Sequence, residues 1–106
     1  MKVVLDACVP QPLRNEITGH EVVTSHYLGL SRLEDADLLT EIEVEFDAFV
    51  TCDRGIPWQN QFAGRKIAVL VLCAPTNKLQ DLVKLVPALL EALGEVKPGE
   101  VREIGL

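Results

Sequence analysis

The sequence predicts an α/β domain, a three-layer α/β/α sandwich built on a mostly parallel sheet. Two observations carry this. Short apolar runs alternate with helix-length amphipathic stretches along the chain, the pattern of strands joined by crossover helices. One run, Ile67 to Leu72, is apolar without interruption, as expected of a strand covered on both faces and near the middle of a parallel sheet.

The elements follow in order. Residues 2–6 form the first strand, Val3-Val4-Leu5 closed by Asp6. Pro10 and Pro12 suit the first turn of a helix over 10–18, ended by Gly19. Glu21 to Thr24 is a second short strand, and Ser25 to Arg32 a loop containing Tyr27. Apolar residues at 38, 39, 42 and 46 fall on one face of a helix spanning Leu33 to Phe46. Its first turn carries Glu34, Asp35 and Asp37, where the helix dipole favours acids. The third strand is 48–52, and Gly55 and Pro57 break the chain after it. Trp58 and Phe62, four apart, share a face of a helical turn; Phe62 reads as core and Trp58 as either core or partner patch. After the 67–72 strand, Asn77 caps a helix with a buried stripe from Leu79 to Leu93, ended by Gly94. Pro87 lies within that stripe and must kink or shorten the helix. Pro98-Gly99 forms a turn, and 101–104 is a polar edge strand.

Nothing divides residues 1–106 into more than one domain. No apolar run reaches the length of a membrane span, so no membrane partner is expected. The N-terminus enters a strand at once, without the pattern of a signal peptide. Cys8, Cys52 and Cys73 are odd in number and lack zinc-finger spacing, which fits a reduced, cytoplasmic protein. A net charge of −6 argues against strong non-specific binding to nucleic acid, because phosphate affinity comes largely from Lys and Arg.

The chemistry gathers at the carboxyl ends of the strands, where open parallel sheets bind ligands. Asp6 ends the first strand and Asp53 follows the third; either Asp35 or Asp37 adds a third acid from the loop before the acidic helix. Carboxylates converging from separate strands repel unless a cation or a shared proton lies between them. Hard oxygen ligands of this kind suit Mg²⁺ or Mn²⁺. Thr51, Arg54 and Asn77 reach the same edge as candidates for positioning a substrate. Arg54 can bind phosphate or pair with an acid. Asp37 reads first as a solvated acid, His20 as an exposed turn residue, His26 and Tyr27 as loop residues, and Arg65-Lys66 as solvated charge on the opposite edge. Cys8 and Cys52 lie near the acids, and with His20 or His26 they would make a soft-metal site; a pair of buried reduced thiols is the simpler reading.

In their order and spacing these segments resemble the small PIN-like proteins of bacteria. The resemblance rests on Val4-Leu5-Asp6 with Pro10, Gly19 to Thr24, Asp35 to Leu39, Phe49 to Asp53, and the tail from Ile67 to Leu93. It implies an α/β/α sandwich, a metal-dependent ribonuclease site in which Asp6, Asp35 and Asp53 hold Mg²⁺ or Mn²⁺, an RNA substrate, frequent pairing of a toxin with an antitoxin, and dimers. The chain departs from that pattern twice. Asp6-Ala7-Cys8 stands where Asp-Glu-Asn is common, and Asp53-Arg54-Gly55 lacks a second acid two residues on. The departures define the rival expectation, a PIN-like binding module without catalysis. A phosphate-receiving domain on a flavodoxin-like sheet is a third reading, but it needs paired acids at the first strand and a lysine after a late strand.

Overall fold

A computed structural model describes residues 1–54 and 64–105, with Asp35 described by its backbone alone. The expected turn at Trp58 to Phe62 and the role of Gly55 lie outside the described residues.

Five parallel strands form one sheet: β1 (Lys2–Leu5), β2 (Glu21–Thr24), β3 (Ala48–Thr51), β4 (Ala68–Cys73) and β5 (Val101–Gly105). Their spatial order is β2-β1-β3-β4-β5. The sheet is wholly parallel, and the expected polar strand is indeed at an edge. β3 is the central strand and β4 lies one position from the edge. Registers Leu5↔Thr24, Leu5↔Val50 and Thr51↔Val71 place the carboxyl ends of the first four strands side by side.

Packing on the two faces follows from the twofold alternation of strand side chains. Val3, Leu5, Ala48, Val50, Leu70 and Leu72 point to one face, where they meet Leu13, Ile17, Leu82, Leu89 and Leu93. Val4, Phe49, Val69 and Val71 point to the other, against Leu38, Leu39 and Ile42 of α1 (Asp35–Ile42). Helical elements therefore cover both faces, an arrangement consistent with a three-layer sandwich. All six residues of β4 are buried, which is why that segment reads as unbroken apolar sequence.

Several elements are shorter than their periodicity predicts. The segment after β1 is a 3₁₀ helix at Gln11–Asn15, not a helix over 10–18. Pro10 and Pro12 have no N–H to give, and the turn closes by Leu13 N–H donating to the Pro10 carbonyl at 3.0 Å. Helix α1 ends at Ile42 instead of Phe46. Glu41, Glu43 and Glu45 crowd the negative end of its dipole and Val44 is 85% exposed, and the chain closes in a turn in which the Glu45 and Phe46 N–H groups both donate to the Ile42 carbonyl, at 3.2 and 2.9 Å. The long helix after β4 is divided into α2 (Leu79–Leu82), a 3₁₀ turn at Val83–Leu85 and α3 (Val86–Leu93). Pro87 accounts for the division, because in a continuous helix its ring would strike the Val83 carbonyl; here it sits in the first turn of α3. Asn77 is not the cap. Lys78 occupies that position, and its N–H donates to Thr76 Oγ1 at 3.1 Å.

At the amino edge Arg65 is more than solvated charge. Its guanidinium donates to Glu43 Oε2 at 2.8 Å with both side chains about four-fifths buried, and also to Thr40 Oγ1 and the Ala36 carbonyl. Lys66 N–H donates to the other Glu43 oxygen at 3.0 Å. These contacts clamp α1 to the approach to β4. Among the described residues no helix is long and apolar enough to cross a membrane.

Phe49 is fully buried between the sheet and α1. Phe49→Ala is expected to cost about 3–5 kcal/mol of stability, read from the midpoint of urea unfolding at unchanged slope.

Candidate functional site at the carboxyl edge

The chain runs from β1 outward to β2, then crosses back to β3 on the other side of β1. Such a reversal opens a crevice between the two strands, the place where ligands bind in open α/β sheets. Asp6 and Asp53 flank this point from β1 and β3.

Thr51 joins them. It is fully buried, on the sheet face that its neighbour Phe49 shares with α1, so its hydroxyl must be satisfied from within. Thr51 Oγ1 donates to Asp6 Oδ2 at 2.7 Å and accepts from the Asp53 N–H at 3.1 Å. Asp6 Oδ1 accepts from the Ala7 N–H at 2.8 Å, and the Asp6 N–H donates to the Val50 carbonyl at 2.9 Å. One buried hydroxyl therefore fixes the Asp6 carboxylate and the backbone of Asp53 together. Thr51 is a structural link between the two acids, where its sequence position alone fits a water-positioning group equally well.

Cys8 enters the same network. The β-turn after β1, closed by Val9 N–H on the Asp6 carbonyl at 3.0 Å, brings it back over the strand end. Its sulfur lies 3.5 Å from Asp6 Oδ2 and 3.5 Å from Thr51 Oγ1, and accepts from the Cys52 N–H at 3.4 Å. The hydrogen bond from the Cys52 thiol, with those from Thr51 and the Cys52 amide, lowers the Cys8 thiol to about 7 against the opposing effect of burial. The same pairing with Cys8, reinforced by burial, pushes Cys52 far up, so Cys52 stays protonated. Cys73 is raised by burial, with Arg54 opposing.

Beside this network lies an open cleft of about 770 Å³. All three cysteines line it, together with Asp53, Arg54 and Asn77. Arg54 bridges two strand ends, its guanidinium donating to the Ala74 carbonyl at 2.6 Å. Thus Asp6 and the Asp53 backbone are joined through Thr51, and Asp53, Arg54 and Asn77 line the adjoining cleft. Asp35 is the first residue of α1, and its side chain lies outside the description. Asp37 is exposed. Among the described residues no three His, Cys, Asp or Glu groups come together as a metal site.

The loop after β2 and the turn before it each hold a further feature. Ser25 is fully buried and its Oγ has no hydrogen-bond partner; its N–H donates to the Leu5 carbonyl at 2.9 Å, which sets it beside the end of β1. A buried serine at a strand end carries no sequence signal. His20 is half-buried, with an unpartnered Nδ1, not exposed as its turn position predicts. His26 and Tyr27 are exposed. No family model, curated protein or solved structure matches the chain.

Two outcomes test this geometry. Thr51→Val removes one donor and one acceptor from the buried network and is expected to cost about 1–3 kcal/mol in urea unfolding. Alkylation of Cys8 by iodoacetamide, followed by peptide mass mapping, is expected to rise through an inflection near pH 7 as the thiolate forms, while Cys52 stays unmodified across that range. In Thr51→Val the inflection moves to higher pH, because one of the hydrogen bonds favouring the thiolate is gone.

Proposed function

We propose that this chain is a Mg²⁺- or Mn²⁺-dependent ribonuclease of the PIN-like type, the toxin of a toxin–antitoxin pair. The observation that carries the reading is the placement of Asp6 and Asp53 at the ends of adjacent parallel strands, tied through Thr51 at the crevice between β1 and β3. Asp35 opens α1, the helix packed on the sheet face that Thr51 shares with Phe49, and this backbone position supports it as the third acid of the proposed set. The donor set is one of hard carboxylate oxygens, which fits either ion. When bound, a divalent ion polarises a phosphodiester and acidifies a water.

The protein's own part is positioning. Thr51 holds the Asp6 carboxylate in one orientation before substrate arrives, which avoids reorganisation during reaction. Arg54 stands on the cleft rim beside Asp53, so a phosphate entering the cleft meets a guanidinium and the Asn77 amide. A net charge of −6 leaves little general attraction for RNA, so binding depends on this local rim and on the charge that the metal cancels.

A second reading has its own observation. Asp6 Oδ2 accepts from Thr51 and from Cys8, neutral groups that satisfy the carboxylate without a cation. That arrangement suits a PIN-like binding module that keeps the fold and contacts a protein partner. The phosphate-receiving alternative gains from the strand order, which is also that of flavodoxin-like sheets. It fails on residues, since Ala7 replaces a second acid and β5 contains no lysine.

The nuclease reading predicts Mn²⁺-dependent cleavage of single-stranded RNA, reduced about 100-fold or more in Asp53→Asn. It also predicts a rise in melting temperature with Mn²⁺ that the same substitution removes. Equal cleavage by both proteins would eliminate the role of Asp53. Absence of both cleavage and thermal shift in the wild type would favour the binding module.

A further inference from the structure

We propose that Cys8 and Cys52 are a peroxide-oxidised dithiol, which closes reversibly into a disulfide at the mouth of the cleft. The inference stands on the thiol geometry and does not require the nuclease reading.

Three observations carry it. Cys8 is exposed and lines the cleft, so a small hydroperoxide reaches its sulfur from solvent. Its sulfur lies 3.4 Å from the backbone nitrogen of Cys52, and both residues line the same cleft, which sets the two cysteines side by side. The third cysteine is directed elsewhere. Cys52 packs with the cluster on the α3 side of the sheet, whereas Cys73 packs with the cluster on the α1 side and donates to the Val71 carbonyl.

The local backbone allows closure. Cys8 sits in a turn beyond the end of β1, and Cys52 lies just past the last residue of β3. Neither has to leave a strand ladder for the sulfurs to approach the bonded distance of about 2.0 Å. The chemistry balances in two steps. The Cys8 sulfur attacks one oxygen of hydrogen peroxide; the O–O bond breaks, a sulfenic acid forms, and the other oxygen leaves as water with the thiol proton. The Cys52 sulfur then attacks the Cys8 sulfur; the S–S bond forms, the S–O bond breaks, and a second water leaves with the Cys52 proton. Two thiols lose two protons and two electrons, and one peroxide becomes two waters. Closure also withdraws the Cys8 thiol from Asp6 Oδ2.

The test is oxidation of the full chain with hydrogen peroxide, followed by free-thiol counting and non-reducing peptide mass mapping. The expected result is loss of two of the three thiols, a Cys8–Cys52 cross-linked peptide, and full recovery with dithiothreitol. Cys73→Ser should behave as the wild type. Cys8→Ser should lose no thiol at the same peroxide dose, and its exposed position makes it the safer variant to fold. Peroxide that leaves all three thiols free, carries Cys8 to sulfinic acid with Cys52 unchanged, or links Cys73 to either partner would overturn the assignment.

Discussion

Both faces of this sheet are covered, and the arrangement at its carboxyl edge follows from that constraint. In β3 the alternation sends Ala48 and Val50 toward α3 and Phe49 toward α1, with no face left for solvent. Thr51, next in the alternation, brings a hydroxyl into a space where an unpaired polar group is costly. Asp6 and the Asp53 amide satisfy it. The link between the two strand-end residues through Thr51 is thus a consequence of packing. A shift of one residue in β3 would exchange its faces and separate Asp6 from Asp53.

What could be read from the sequence divides along the same line. Strand positions were legible to within a residue, because Val3 to Leu5, Ala48 to Val50 and Ala68 to Leu72 are apolar runs that only a doubly covered sheet accommodates. The placement of Asp6 and Asp53 at one edge was legible because parallel strands end there. Helix lengths were less so. The apolar stripe from Leu79 to Leu93 continues through Pro87, and periodicity does not register a lost N–H or a ring clash. The role of Arg65 was hidden for another reason: its partners, Glu43 and Thr40, are more than twenty residues away in sequence and are brought beside it only by the packing of α1. Ser25 has no pattern around it and is defined by burial alone.

The carboxyl edge combines two chemistries. Hard carboxylate oxygens lie just past the ends of β1 and β3, and the soft Cys8 thiol lies within hydrogen-bonding reach of one of them. Cys8 is the hinge between the sets, since one sulfur contacts Asp6, Thr51 and Cys52. Cys8, two residues after Asp6, therefore gives this edge a thiol beside its carboxylate. A carboxamide in that position would offer another oxygen; a thiol responds to oxidants and to pH near neutrality.

The strand order has a kinetic consequence too. No two strands of this sheet are joined by a hairpin, since every pairing is parallel and needs a crossover. The Thr51–Asp6 hydrogen bond joins residues 45 positions apart, so it forms only after an intervening strand and helix have been gathered in. Chains dominated by such distant pairings fold slowly compared with helical bundles of similar size. The acids at the crevice acquire their mutual geometry late in folding, and a partly folded chain carries the residues of the site without the site itself.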